Sequence, residues 1–170
     1  MQHGKRMGVV AMWLLIAAMA WAGDAWRVSL GGLGPIRIEM PIDAALQQIR
    51  ASGVGTVQEV VRQAEGEPYR HYDVMQSGRR LFTLEPAMNV VWRITIVSPD
   101  FKTSEGLGVG SPWPALTAAY PKLRVSPGAE GGACAVQLVP PGGLSFCFAE
   151  AKPAPTSRVQ KVLLYSTSDL

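Results

Sequence analysis

His71 and Asp73 stand two residues apart. On an extended strand, residues i and i+2 point to one side, and an aspartate beside an imidazole can orient the ring for general-base work. A hydrolytic triad also needs a nucleophile. The chain has no G-x-S-x-G elbow and no cysteine-protease pattern, and "GGLSF" around Ser145 lacks the elbow spacing. His71 and Asp73 are therefore read as residues of a solvated strand face, available for surface contact or binding, and no catalytic residue is assigned.

The stretch "EGLGVGSPWPALTAAYP" (residues 105–121) raises a second possibility, a phosphate-gripping loop. Gly106, Gly108 and Gly110 give G-x-G-x-G where a dinucleotide fingerprint needs G-x-G-x-x-G in a parallel βαβ unit. No G-K-[ST] follows, so a P-loop is excluded. The glycines are read as a bend between extended chain and a helix, and Gly108→Ala is expected to hurt folding, not nucleotide affinity. No cofactor is expected.

Cys134 and Cys147 bracket "CAVQLVPPGGLSFC", two strands around a turn. Pairing centred between Pro140 and Pro141 sets the cysteines directly opposite, as a disulfide requires; a shift of one residue leaves them diagonal. The alternative is two buried thiols. With the cysteines paired, scattered carboxylates are the remaining ligand type, and no metal site is expected. Two carboxylates brought together by the fold, as in a glycosidase, stay open. Trp92 and Trp113 are read as core residues. Trp113, close to the glycine bend, is also a candidate for surface contact or binding.

These residues need elements to position them. Ile42, Ala45, Leu46 and Ile49 fall on one helical face, with Ser52-Gly53 as the stop. Thr56 and Glu59 have capping-box spacing ahead of Val57, Val60, Val61 and Ala64, which predicts a second short helix. Residues 69–76, 80–85 and 90–97 read as strands, with Val90, Trp92, Ile94 and Ile96 on one face and Arg93 and Thr95 on the other. Ser111 as cap and Pro112 at the first position predict a helix that ends at Pro121. Residues 158–166 read as a closing strand. Similar openings and closings suggest an α+β domain (23–170) of two degenerate repeats, about 28–98 and 101–168. Each repeat is a short helix or helix pair packed on antiparallel strands.

The first residues read as a secretory leader. Lys5 and Arg6 precede fifteen uncharged residues ending in "AWA". A helix of that length spans roughly 22 Å, short of a bilayer core of about 30 Å. The leader is 1–22, with cleavage after Ala22 or Ala25; an uncleaved anchor is the alternative. Removing it takes two of the 16 basic side chains against 13 acidic ones, so the mature chain is close to neutral. No basic stripe interleaves with aromatics, and nucleic-acid binding is not expected. No membrane span is expected after processing.

Taken together, "YRHYDVMQSGRRLF", "VVWRITIVS" and "GLGVGSPWPAL" resemble a family of Gram-negative envelope lipoproteins under the sigma-E stress regulon, over residues 30–165. The family is filed as a domain of unknown function. The resemblance implies an α+β domain in the periplasm with no established activity or ligand. This chain lacks the lipid-bearing cysteine, so tethering is not carried over. The expectation is a periplasmic protein with a non-catalytic binding or structural role, its partner an envelope protein or a cell-wall component. An inhibitor-like module using "PPGG" or "AKPAPTS", and a wall hydrolase using dispersed carboxylates, are the alternatives.

Overall fold

The computed structural model describes residues 25–64, 67–128, 131–139 and 142–168. The leader and its Ala22 cleavage point lie outside them, as do Pro140 and Pro141. Glycine-broken chain near the start folds into three two-residue antiparallel strands, β1 (Val28–Ser29), β2 (Gly32–Leu33) and β3 (Ile36–Arg37). Helix α1 (Ile42–Ser52) buries the four predicted apolar residues and ends at Gly53, whose φ of 67° is a left-handed cap.

The expected second helix is a strand. β4 (Thr56–Ala64) pairs with β5 (Glu67–Gln76) along its whole length, from Thr56 opposite Met75 to Ala64 opposite Glu67. A nine-residue helix is marginal by itself. Threonine and valine, stiff at χ1, gain more on a pleated surface. The valines bear this out: Val57 packs partly against the core, while Val61 is exposed.

β6 (Arg79–Ala87) and β7 (Val90–Ile96) complete a meander. After helix α2 (Trp113–Ala119), four more strands follow: β8 (Arg124–Pro127), β9 (Ala133–Val139), β10 (Gly142–Phe148) and β11 (Lys161–Ser166). All eight long strands form one antiparallel sheet in the order β4-β5-β6-β7-β11-β10-β9-β8. The α+β expectation of two balanced repeats is thus corrected. The fold is mostly β, with two short helices among the described residues and a small extra sheet beside the first.

One face of the large sheet carries the core. Phe82 and Leu84, Ile94 and Ile96, Val162 and Leu164, Leu144 and Phe146 are buried there, and helix α1, Leu116 of α2, Leu33, Ile36, Trp26 and Phe101 join the same cluster. Trp92 is not part of that core. Glu85 pairs with Arg93 and Pro86 with Val91, so Trp92 is an extra residue in β7. The bulge reverses the alternation: Val91 is fully buried and Trp92 is half-buried, with the Arg93 guanidinium 5.2 Å from its ring centre.

The glycine bend is structural. Gly108 makes an isolated antiparallel bridge with Lys102, and its N–H donates to Ser111 Oγ (3.0 Å). Ser111 thus closes the bend, and Pro112, without a side-chain cap, precedes α2. A Cβ on Gly108 would stand 2.4 Å from the Phe101 carbonyl oxygen. Gly108→Ala is therefore expected to cost about 1–3 kcal/mol, as overpacking does. Urea melts check this; an unchanged midpoint would contradict it.

The bend also carries an acid-sensitive contact. The Tyr120 ring stacks on Phe146, and its hydroxyl donates to Glu105 Oε2 (2.6 Å). That bond, followed by those from Ser104 and Thr103, lowers the Glu105 carboxyl from its ordinary 4.5 to about 2. Burial first, then the bond to Glu105, pushes the Tyr120 phenol up to about 12. The Glu105 contribution is present above pH 4.5 and is lost as pH falls toward 2. Glu105 is exposed, so its size stays below about 1 kcal/mol. Tyr120→Phe is expected to lower stability at neutral pH and to converge with the parent in acid, which melts across pH 7 to 3 measure.

Candidate functional site

The sheet face turned away from the core is polar, and strand alternation makes it so. Phe82 and Leu84 point into the core, so Thr83 between them and Glu85 after them point out; alternation with Ile94 and Ile96 does the same for Arg93 and Thr95. Register lines these residues up across strands. Asp73, Thr83, Thr95, Leu163 and Ser145 form one row over five strands. Glu85, Arg93 and Tyr165 form the next, and His71, one step beyond the Tyr72–Leu84 pair, is level with it.

The rows are knit together. Arg93 Nε donates to Glu85 Oε2 (2.8 Å), a second guanidinium nitrogen reaches the same oxygen, and Thr95 Oγ1 donates to Glu85 Oε1 (3.2 Å). Thr83 Oγ1 donates to Asp73 Oδ1 (2.6 Å), and Arg80 lies 3.8 Å from Asp73 Oδ2. His71 Nε2 is 3.9 Å from Asp73 Oδ1, an ion-pair distance too long for a hydrogen bond. The ring is buried, 2% exposed, and its Nδ1 has no partner among the described residues. Tyr69 lies over it at 5.4 Å between ring centres. Burial first, then the Glu85 charge, raises the Tyr69 phenol above its ordinary value.

Above this network is a cavity of 580 Å³, a size common for small-molecule sites. His71, Tyr69, Arg62, Arg80, Arg93 and Lys161 contribute to its wall, as do Glu85 and Phe148. Cys134 and Cys147 line it too. They face each other directly across β9 and β10 as a disulfide, with Cα atoms 4.0 Å apart, the register centred between Pro140 and Pro141.

The structure therefore brings together His71, Asp73, Cys134 and Cys147. His71 is not on a solvated face, as expected from sequence; it is enclosed by its neighbours. Trp113 is elsewhere, half-buried at the start of α2 and edge-on to Phe148 at 5.6 Å. Of "PPGG", Gly142 and Gly143 are buried strand residues and the prolines lie outside the described residues. In "AKPAPTS", Ser157 Oγ accepts from the Ala154 N–H (2.9 Å) and the Ser157 N–H donates back to the Ala154 carbonyl (2.9 Å), closing a turn. Sequence reasoning missed Thr83, Glu85, Arg62, Arg80 and Lys161 as site residues. A polar residue alternating with buried apolar ones was the available signal in β6.

No helix among the described residues is long and apolar enough to cross a membrane. No family model matches the chain, and no curated protein matches it. Among solved structures, the chain is similar to the crystal structure of the uncharacterized protein yfeY from Escherichia coli, with a TM-score of 0.61 and 18% sequence identity. The match covers 82% of this chain and 99% of that one. At that identity the likeness shows a shared fold.

Proposed function

We propose that this is an exported envelope protein with a non-catalytic binding role, and that its ligand or partner docks on the open face of the large sheet. The observation that carries the reading is the cavity over a buried polar network. Building such a network against a sheet is costly unless its groups are satisfied. Here each carboxylate is already answered: Glu85 by Arg93 and Thr95, Asp73 by Thr83 and Arg80. Groups held this way shape and charge a surface, whereas a general acid or base needs a carboxyl left to act on substrate. The leader-like first residues and the disulfide support an oxidising, exported setting, and the periplasm is the compartment proposed.

The test is calorimetric titration of the purified protein with solubilised cell-wall fragments and with fractionated envelope extract, beside Leu163→Trp, which fills the cavity wall. Saturable heat lost in the filled variant, with both proteins melting alike, supports the reading. Equal binding by both proteins overturns the location. New cleavage products from the wall fragments overturn the non-catalytic role.

A further inference from the structure

Among the described residues the cavity wall carries more cations than anions: Arg62, Arg80, Arg93 and Lys161, of which Lys161 is engaged in a contact of its own, against Glu85, with Asp73 behind it. Arg93 is committed to Glu85. Arg80 is near enough to Asp73 for charge attraction, but 3.8 Å is too long for a hydrogen bond. Between these cations lies His71, almost wholly buried, lining the cavity with Nδ1 unpartnered among the described residues. A buried polar atom left without a partner carries a desolvation cost that a bound group can relieve. Guanidinium groups suit carboxylate and phosphate oxygens in particular, because their planar donors match those geometries.

We infer that this cavity binds a small anionic ligand, its carboxylate or phosphate group held by Arg62 and Arg80 beside His71. The inference rests on the binding role proposed above and assigns its ligand class. Register sets the scale. Arg62 pairs with Tyr69 and Arg80 with Met75, six residues further along β5, about 20 Å between backbone positions. The two arginines thus approach the imidazole from opposite ends. Tyr69 supplies a flank for a carbon frame such as a sugar ring.

The experiment is ¹⁵N NMR of the His71 imidazole in the full chain, with His71→Gln to assign it against His3, the other histidine. The probes are inorganic phosphate, N-acetylmuramic acid as a carboxylated sugar, and N-acetylglucosamine as its uncharged counterpart. Saturable movement of the imidazole signals with either anion, none with the neutral sugar, and about tenfold weaker binding in Arg62→Gln/Arg80→Gln is expected, equivalent to about 1.4 kcal/mol. Response to phosphate alone assigns a phosphate ligand; response to the muramic acid alone assigns a carboxylate. Arg80 faces Asp73 at 3.8 Å, so the double variant is expected to melt slightly below the parent, by no more than a solvent-screened ion pair contributes. Binding is compared well below both melting points, with Arg62→Gln alone as the variant that leaves Asp73 its partner. No movement up to about 50 mM of either anion, well above the 1 mM scale of weak binding, overturns the inference, and so does an equal response to the neutral sugar. If wall fragments still bind the parent and not Leu163→Trp, the binding role survives that failure and only the anionic ligand class falls.

Discussion

Phe82→Ala is expected to remove about 3–5 kcal/mol of folding stability, the cost of deleting a large buried aromatic. The Phe82 ring is fully buried at the centre of an aromatic group, 5.8 Å from Trp26 and 5.6 Å from Phe101 between ring centres. The three rings come from three places: the chain before β1, strand β6 and the segment after β7. Truncation leaves a cavity that neither a strand nor two loops anchored elsewhere can close, so the cost falls near the upper part of that range. Against a typical total of about 5–15 kcal/mol, the variant should be partly unfolded at 37 °C. Urea denaturation gives the number. Val61→Ala, on the exposed edge strand at 59%, is the control and should stay within about 0.5 kcal/mol. Equal costs at the two positions would mean that the sheet does not bury the face assigned to it.

Arg93→Ala is expected to cost about 2–3 kcal/mol. Removing one partner of a buried ion pair leaves the other charge uncompensated, which costs about 3–5 kcal/mol when both are enclosed. Glu85 is 9% exposed, but the Arg93 side chain is 36% exposed, so solvent screening reduces the figure. Thr95 remains as a single donor to Glu85. Arg93→Leu with Glu85→Leu should recover most of the loss, since a matched apolar pair removes the stranded charge. A double-mutant cycle by chemical denaturation measures the coupling. A coupling near zero would show that the pair is not what holds Glu85 beneath the cavity.

Much of the fold could be read from residue order, and the failures have physical causes. Helix α1 was legible because its apolar spacing and glycine stop agree. So were the β5–β7 strands and the cysteine register, where a single turn fixes all that follows. β4 was misread because Val57, Val60 and Val61 satisfy a helical period as well as a strand preference, and the deciding factor is β5, its neighbour in space. The site was hidden by one residue. Ala87 pairs with Val90 at the hairpin end; continued without a bulge, that register sets Glu85 against Trp92. The extra residue at Trp92 moves Arg93 opposite Glu85 instead. It also puts Val91 in the core and Trp92 outside it. Arg62, Arg80 and Lys161 come from three strands distant in sequence, so only the finished sheet reveals their common wall.

The place of β11 governs when this molecule can come together. It is the last strand along the described chain, yet it lies in the interior of the sheet, between β7 and β10. During synthesis β4 to β7 emerge first and β8 to β10 later, and the two groups have no shared strand border until residues 161–166 leave the ribosome. Until then β7 and β10 each present a bare border that would otherwise be interior, the kind of edge that recruits foreign strands. A nascent chain of this protein therefore gains from being kept extended until its final strand is made, and a premature stop before residue 161 would remove the seam rather than trim a tail.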